Sequence, residues 1–581
     1  MPQANAILIS DFRAVEGVTD TANFIPYERD GNRGYLLRIN GTPARPVTLP
    51  ISVRGWHEIH IGFLGASSLR IRLSTDPVFS WVESSVSWTR KPNEGEEAYW
   101  RTADLTGEHI EFLPQLLERR HDPRHSQIAY LKLVPIQESA VRKQSADRRP
   151  TLTAGAVIDG HEMFGAHGPT SPEEIRALVD PFIDSDFRRI HFGCTVTTMR
   201  LAYLSEIGYH LGQDQPLHKL NSDTNRRCAT TLLTAKEKGY DPVDILIDHC
   251  EKNDLELWTD FRVQQDYAYD YAGGFGYDFN SPFTEAHQDW RHVNRHGEIS
   301  SHLFSHFHPG WEQYKLDLLA ELARKGPAGI HLNLMCEMNA IWDFEPAAVD
   351  RFRDEYRMDP TEDTEPPQEW YQFRCDHLTE FIRRLRNQTH EISGELGKPI
   401  PLAVQVSGDW SILKHNKLVM AVSQNFFAGF DVPRWAREGL VDIISPSFRR
   451  TYKPMFLEHF YDDLGDARQN IKLIPSIGQH DNAIFPRGYE WSKYFTDEGK
   501  DATDLIPFGE LDVWRVPPRS TRPLPAGCRR GKRLGNGSRT RSPRPLEHPQ
   551  THRQPQNARK RIRHASGRID GRAGAPVQAR D

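Results

Sequence analysis

The chain has 581 residues, 38% of them hydrophobic and 10% aromatic, enough for two or three domains with a sizeable core. It contains no apolar run of the ~18 residues a membrane span needs. Its first residues, Met1 to Asp11, lack the basic segment and long apolar stretch of a signal peptide. The six cysteines, Cys194, Cys228, Cys250, Cys336, Cys375 and Cys528, form no Cys-x-x-Cys pair. That pattern favours reduced thiols in a cytoplasmic protein over a disulfide framework or a zinc site. The net charge of −6 conceals a split, because residues 516–581 hold 17 Lys and Arg against 3 Asp and Glu.

Residues 1–136 read as an all-β module. Gly34–Ile39, His57–Phe63 and Leu69–Leu73 alternate apolar and polar residues, with Gly, Pro and Asn between them, in the rhythm of a β-sandwich. Ile128–Pro135 is its expected closing strand, and residues 137–150 form a charged linker. From residue 151 strands alternate with helices. The expected strands are Thr151–Ile158, Arg188–Gly193, Leu255–Asp260, residues 329–335, Pro401–Val406, Val441–Ser445 and Ile471–Ile477. Ser171, Pro172 and Glu174 spell the start of a helix with a capping box. Asp241 and Asp431 are placed as caps of later helices. Trp311, Tyr314, Leu318, Leu319 and Leu322 share one face of a helix over residues 310–325, and another helix is expected near 368–396.

This alternation implies an α/β fold, a parallel (β/α)8 barrel of the TIM type over residues 151–515. Seven strands are legible and the eighth is not. Residues 516–581 contain no Phe, Trp or Tyr and cannot bury enough apolar surface to offset their ordering entropy. A disordered Arg/Pro-rich tail is expected there. A shifted reading frame would explain why it begins where barrel sequence is still owed; a genuine basic tail is the alternative.

In such barrels, catalytic side chains gather at strand C-termini. Carboxyls at the expected strand ends are Asp159 and Glu162, Asp260, Glu337, Asp409 and Asp481. Glu337 is the first choice for a general acid, since burial against Met335 and Trp342 would raise its pKa. Asp409, held by the strand and turn before it, is the choice for nucleophile or base. Asp260 and Arg262, two residues apart on one strand face, read as an ion pair that orients substrate. His161, Asn333, Gln405 and His480 complete the substrate-binding set, with Asp159, Glu162 and Asp481. Trp258, Trp342 and Trp410 could each stack on an apolar ring or simply fill a core.

Six histidines, His287, His292, His296, His302, His306 and His308, crowd the connection after the third strand. His292 with His296, or His302 with His306, have the i,i+4 spacing of two ligands on a helix. Asn294, Gly297, Ser300 and Ser301 favour a loop instead, so a polar lid is expected and no metal is assigned. No P-loop, dinucleotide fingerprint or nucleophile elbow is present, and no cofactor is expected.

Three stretches resemble the glycosyl-hydrolase-like barrel proteins. They are Gly239-Tyr240-Asp241-Pro242 leading to Leu257-Trp258-Thr259-Asp260-Phe261-Arg262; His308-Pro309-Gly310-Trp311 opening the helix into Gly329-Ile330-His331-Leu332; and Phe344-Glu345-Pro346, Phe352-Arg353, Tyr356, Asp359-Pro360 and Trp370. The resemblance covers about residues 151–515. It implies a glycoside hydrolase acting on an oligo- or polysaccharide through paired carboxylates, with carbohydrate as partner and neither membrane nor specific nucleic acid. The family usually has Asp, and Arg three residues later, where this chain has Asn333 and Cys336. A non-catalytic carbohydrate-binding barrel and a metal-dependent hydrolase built on the histidine-rich loop therefore stay open. The N-terminal module resembles carbohydrate-binding jelly rolls in strand rhythm alone.

Overall fold

The structure is a computed structural model. It describes most of residues 6–478 together with 510–512; residues 84–94, 115–125, 264–275, 335–341, 408–412, 421–423, 449–463, 479–509, 513–581 and some shorter stretches lie outside the described set. The expected tail and the calls on Glu337, Asp409, Trp410, His480 and Asp481 fall on those residues.

The N-terminal region is all-β and antiparallel. One sheet orders Ile7–Ile9, Tyr130–Pro135, Trp56–Leu64 and Gly95–Asp104; a second orders Val47–Pro50, His109–Pro114, Ser68–Leu73 and Ser80–Glu83. A third joins Ser126–Ile128, Asn32–Ile39 and Ala22–Arg29. The alternation read in the sequence has a physical result: Ile59, Ile61, Phe63, Leu69, Ile71, Leu131 and Leu133 share one buried core, because every second side chain of a strand faces the same way. The stretch read as a linker contains a helix, Glu138–Ala146, with an Arg142–Glu138 ion pair one turn apart.

Beyond it lie the parallel strands β1 (Ala154–Ile158), β2 (Phe187–Gly193), β3 (Glu256–Phe261), β4 (Gly329–Asn333), β5 (Leu402–Ser407), β6 (Ile443–Phe448) and β7 (Ser476–Gly478, continuing from Lys472–Leu473). Consecutive strands pair in parallel from β1 to β7. The eighth position, expected to be empty, is taken by β8 (Glu510–Asp512), which pairs in parallel with both β7 and β1 and so completes a ring of pairings. Three residues are too few to carry a readable alternation, which is why the sequence conceals this strand.

The helices that flank the sheet are α1 (Gly160–His167), α2 (Pro172–Arg176), α3 (Asp223–Lys238), α4 (Pro242–Lys252), α5 (Pro309–Arg324), α6 (Pro346–Tyr356), α7 (Gln368–Leu396) and α8 (Val432–Arg437). Their starts follow local chemistry. Ser171, Asp241 and Asp431 each accept a backbone N–H of the first turn. The Glu174 carboxylate reaches Thr170 N at 2.7 Å rather than the cap residue itself, so the box is displaced by one residue. Trp311, Leu318, Leu319 and Leu322 of α5 are buried in the main core, against Leu257, Phe261, Ile330, Leu332, Val404 and Ile444 of the strands.

Candidate active site

That core takes one face of each strand, which leaves the alternate residues for the barrel interior. On β4, Ile330 and Leu332 belong to the core, so Gly329, His331 and Asn333 point inward. On β3 the inward residues are Glu256, Trp258 and Asp260; on β5, Ala403 and Gln405; on β6, Ile443 and Ser445; on β2, Arg189 and His191. The interior divides into two zones along the strand direction.

Toward the strand N-termini lies an apolar plug. Trp258 packs with Ala403, Ile443 and Ile474. Its ring sits against Gly329, where an added Cβ would meet ring carbons at 2.5–2.7 Å. Arg189 caps this zone, stacking 4.4 Å over Trp258 and pairing with Glu256 at 3.1 Å. Trp258 is therefore a core residue.

Toward the C-termini the interior turns polar. His331 Nδ1 lies 2.5 Å from Asp260 Oδ1. The His191 ring meets His331 edge-on at 4.4 Å and stacks over Trp258 at 5.6 Å. Asn333 and Gln405 are register partners on β4 and β5, and Ser445 continues the row on β6. All six are buried. The partner expected for Asp260 was Arg262; the carboxylate instead meets an imidazole across the strand pair, because β3 and β4 place Asp260 opposite His331. His191 and His331 were not singled out in the sequence, although the two-residue period puts His331 on the face of Asn333.

Asp159 follows β1 as the N-cap of α1, accepting Glu162 N at 3.1 Å. Burial raises the pKa of its carboxyl, and the nearby charge of Arg262 partly opposes that rise. Arg262 N donates to Thr195 Oγ1 at 3.2 Å. His161 Nε2 lies 2.7 Å from Asn225 Oδ1, and Asn225 donates in turn to Asp278, forming a buried chain between α1, α3 and the Gly276–Phe279 turn. Glu162 is half-buried on the first turn of α1. The described candidates thus fall into three groups: Asp260, Asn333 and Gln405 with the two histidines; Asp159 with Arg262 and Glu162; and His161 with Asn225 and Asp278.

The histidine-rich connection is a hairpin of Arg291–Val293 and Ile299–Phe304, with an exposed turn holding His296. Strand geometry separates the i,i+4 pairs, so a helical two-histidine site is not formed. His287 stacks on Trp290 at 3.8 Å, and His292 stacks at 6.5 Å on Trp342. Among the described residues, one trio that could hold a metal has donor atoms within 4.8 Å of one another: His292, Asp343 and Glu345. Burial alone would push Asp343 up, yet Arg374 and then His292 hold its carboxyl well below the usual range. Burial opposes protonation of His292, and Asp343 followed by Glu345 overcomes it, raising its pKa to about 9.

A polar, buried cluster at strand C-termini on a parallel sheet is the setting in which barrel enzymes bind substrate. Residues 222–477 match the family Glycosyl hydrolase-like 10. The match takes in β3 to β7, and hence Asp260, His331, Asn333 and Gln405. No curated protein matches the chain. Among solved structures, the catalytic domain of β-amylase from Paenibacillus polymyxa aligns at 10% identity, over 63% of this chain and 92% of that one, with a TM-score of 0.39. α-L-Fucosidase isoenzyme 2 from Paenibacillus thiaminolyticus aligns at 9% identity and TM-score 0.39, over 64% of this chain and 47% of that one. The glycoside hydrolase domain of PelA from Pseudomonas aeruginosa gives 10% identity and TM-score 0.28, over 60% of this chain and 92% of that one. No helix among the described residues is long and apolar enough to cross a membrane.

Proposed function

We propose that the chain is a carbohydrate-active hydrolase that cleaves a glycosidic bond of an oligo- or polysaccharide at the C-terminal mouth of a (β/α)8 barrel. The observation that carries this reading is the buried polar row Asp260, His331, Asn333 and Gln405, lying inside the segment that matches the glycosyl-hydrolase-like family. A lining of hydrogen-bonding side chains suits a ligand rich in hydroxyls. In this reading Glu337 protonates the leaving oxygen, and Asp409 acts as nucleophile or as base toward water. Asp159, His161, Glu162, Arg262, His480 and Asp481 join the row as substrate contacts. The all-β region serves as a carbohydrate-binding module. The four described free thiols, Cys194, Cys228, Cys250 and Cys375, are buried, which supports a reducing, cytoplasmic setting.

The test is hydrolysis of a panel of aryl glycosides and oligosaccharides by the full chain. Glu337→Gln and Asp409→Asn should each lower turnover by about 10²–10⁴-fold while leaving the unfolding midpoint in place. A second reading rests on Asn333, which stands where relatives usually have Asp and can neither titrate nor attack. It makes the chain a non-catalytic saccharide binder. Binding of an oligosaccharide by calorimetry, with no turnover and no response to those two substitutions, would select it.

A further inference from the structure

The histidine-rich hairpin and the segment before α6 form a buried corner that the glycosidase reading does not use. Phe344 N donates to Val293 O at 2.9 Å, and Val293 N donates to Glu345 Oε2 at 3.3 Å. Residues 343–345 therefore lie alongside the hairpin strand, and their two-residue period brings both carboxylates to His292. His292 Nδ1 is 2.9 Å from Asp343 Oδ1 and 3.8 Å from Glu345 Oε2. Residue exposures of 2%, 4% and 1% place all three groups out of water.

Each carboxylate is anchored through its other oxygen. Arg374 grips Asp343 Oδ2 at 2.6 Å through Nε and at 2.5 Å through Nη2, and Ser305 Oγ donates to Glu345 Oε1. One oxygen fixed from outside and one turned inward is the way supporting hydrogen bonds orient metal ligands. Next to the trio, His306 is buried, and both of its ring nitrogens lack a hydrogen-bond partner among the described residues. Arg374 offsets one of the two carboxylate charges, and a cation would take the place of the proton that His292 holds between them.

We propose that His292, Asp343 and Glu345 form a binding site for one divalent ion of the Zn²⁺ or Mn²⁺ class, which tolerates mixed imidazole and carboxylate ligation. The ion would tie the hairpin after β3 to the segment that follows β4, and it needs no part in the hydrolytic step. Ca²⁺ and Mg²⁺, which favour all-oxygen ligation, should bind more weakly.

The test uses the full chain, stripped with a chelator and dialysed against Zn²⁺, Mn²⁺ or Co²⁺, with bound metal measured by mass spectrometry and Co²⁺ by its visible absorption. The expected result is one ion per chain and a higher unfolding midpoint in the loaded protein. His292→Gln and the near-isosteric Glu345→Gln should lower retained metal at least tenfold. Ser305→Ala should weaken affinity by about 10-fold, and His287→Gln should change nothing. Less than a tenth of an ion per wild-type chain with all three metals would overturn the site, as would full retention in both His292→Gln and Glu345→Gln. The wild-type measurement decides the question even where a variant fails to fold.

Discussion

The two ends of the barrel interior use the same strands for opposite purposes. At the N-terminal end, Trp258, Ala403, Ile443 and Ile474 exclude water and hold the strands together, and Gly329 leaves room for the indole. At the C-terminal end the next inward residues on those strands are Asp260, Gln405, Ser445 and His331. An apolar filling would stabilise this end as well, since burying polar groups brings a desolvation cost that burying apolar ones does not. On the proposed function the polar row is kept for its contacts with saccharide, and the plug for what it contributes to folding.

That contrast can be broken in either zone. Trp258→Ala should destabilise the chain by about 3–5 kcal/mol, read by urea unfolding, with saccharide affinity of the folded fraction preserved. Loss of affinity at unchanged stability would assign Trp258 to the site. Asp260→Asn removes the charge beside His331 and should cost about 1–3 kcal/mol, together with at least a tenfold loss of saccharide binding. A variant that loses stability alone would make the pair purely structural.

A smaller effect lies outside both zones. His210 is buried, and burial holds its pKa below the ordinary value, with Lys236 and Arg200 acting in the same direction. The unfolded chain then takes up a proton before the folded one does. Stability is full above pH ~6.5 and declines as pH falls toward the lower folded value, by at most about 1.4 kcal/mol per pH unit. His210→Gln should flatten that part of the stability profile, and an unchanged slope would remove His210 from the account.

Local chemistry was the most legible part of the sequence. Ser171, Asp241 and Asp431 announce helix starts because capping needs only the neighbouring residues. The strands were found through their apolar runs, and Gly329–Asn333 also alternates, with Ile330 and Leu332 set between Gly329, His331 and Asn333. That period puts His331 on the face of Asn333, but its partner Asp260 lies 71 residues away, so the pairing itself was not legible locally. Distance in sequence also hid the carboxylate partners of His292, which sit about 50 residues downstream, while the i,i+4 spacing drew attention to His296 on an exposed turn. Strand β8 was illegible because three residues carry no period.

The most direct measurement compares two substitutions on one strand, two residues apart. Gly329→Ala forces a Cβ into the Trp258 ring and should cost about 1–3 kcal/mol while the folded molecules bind and turn over saccharide as before. His331→Asn should lower kcat/KM, or saccharide affinity if the chain does not turn over, by at least tenfold with a smaller change in stability. If both variants lose stability in parallel and retain full activity per folded molecule, the C-terminal interior is structural throughout and the account of the site fails.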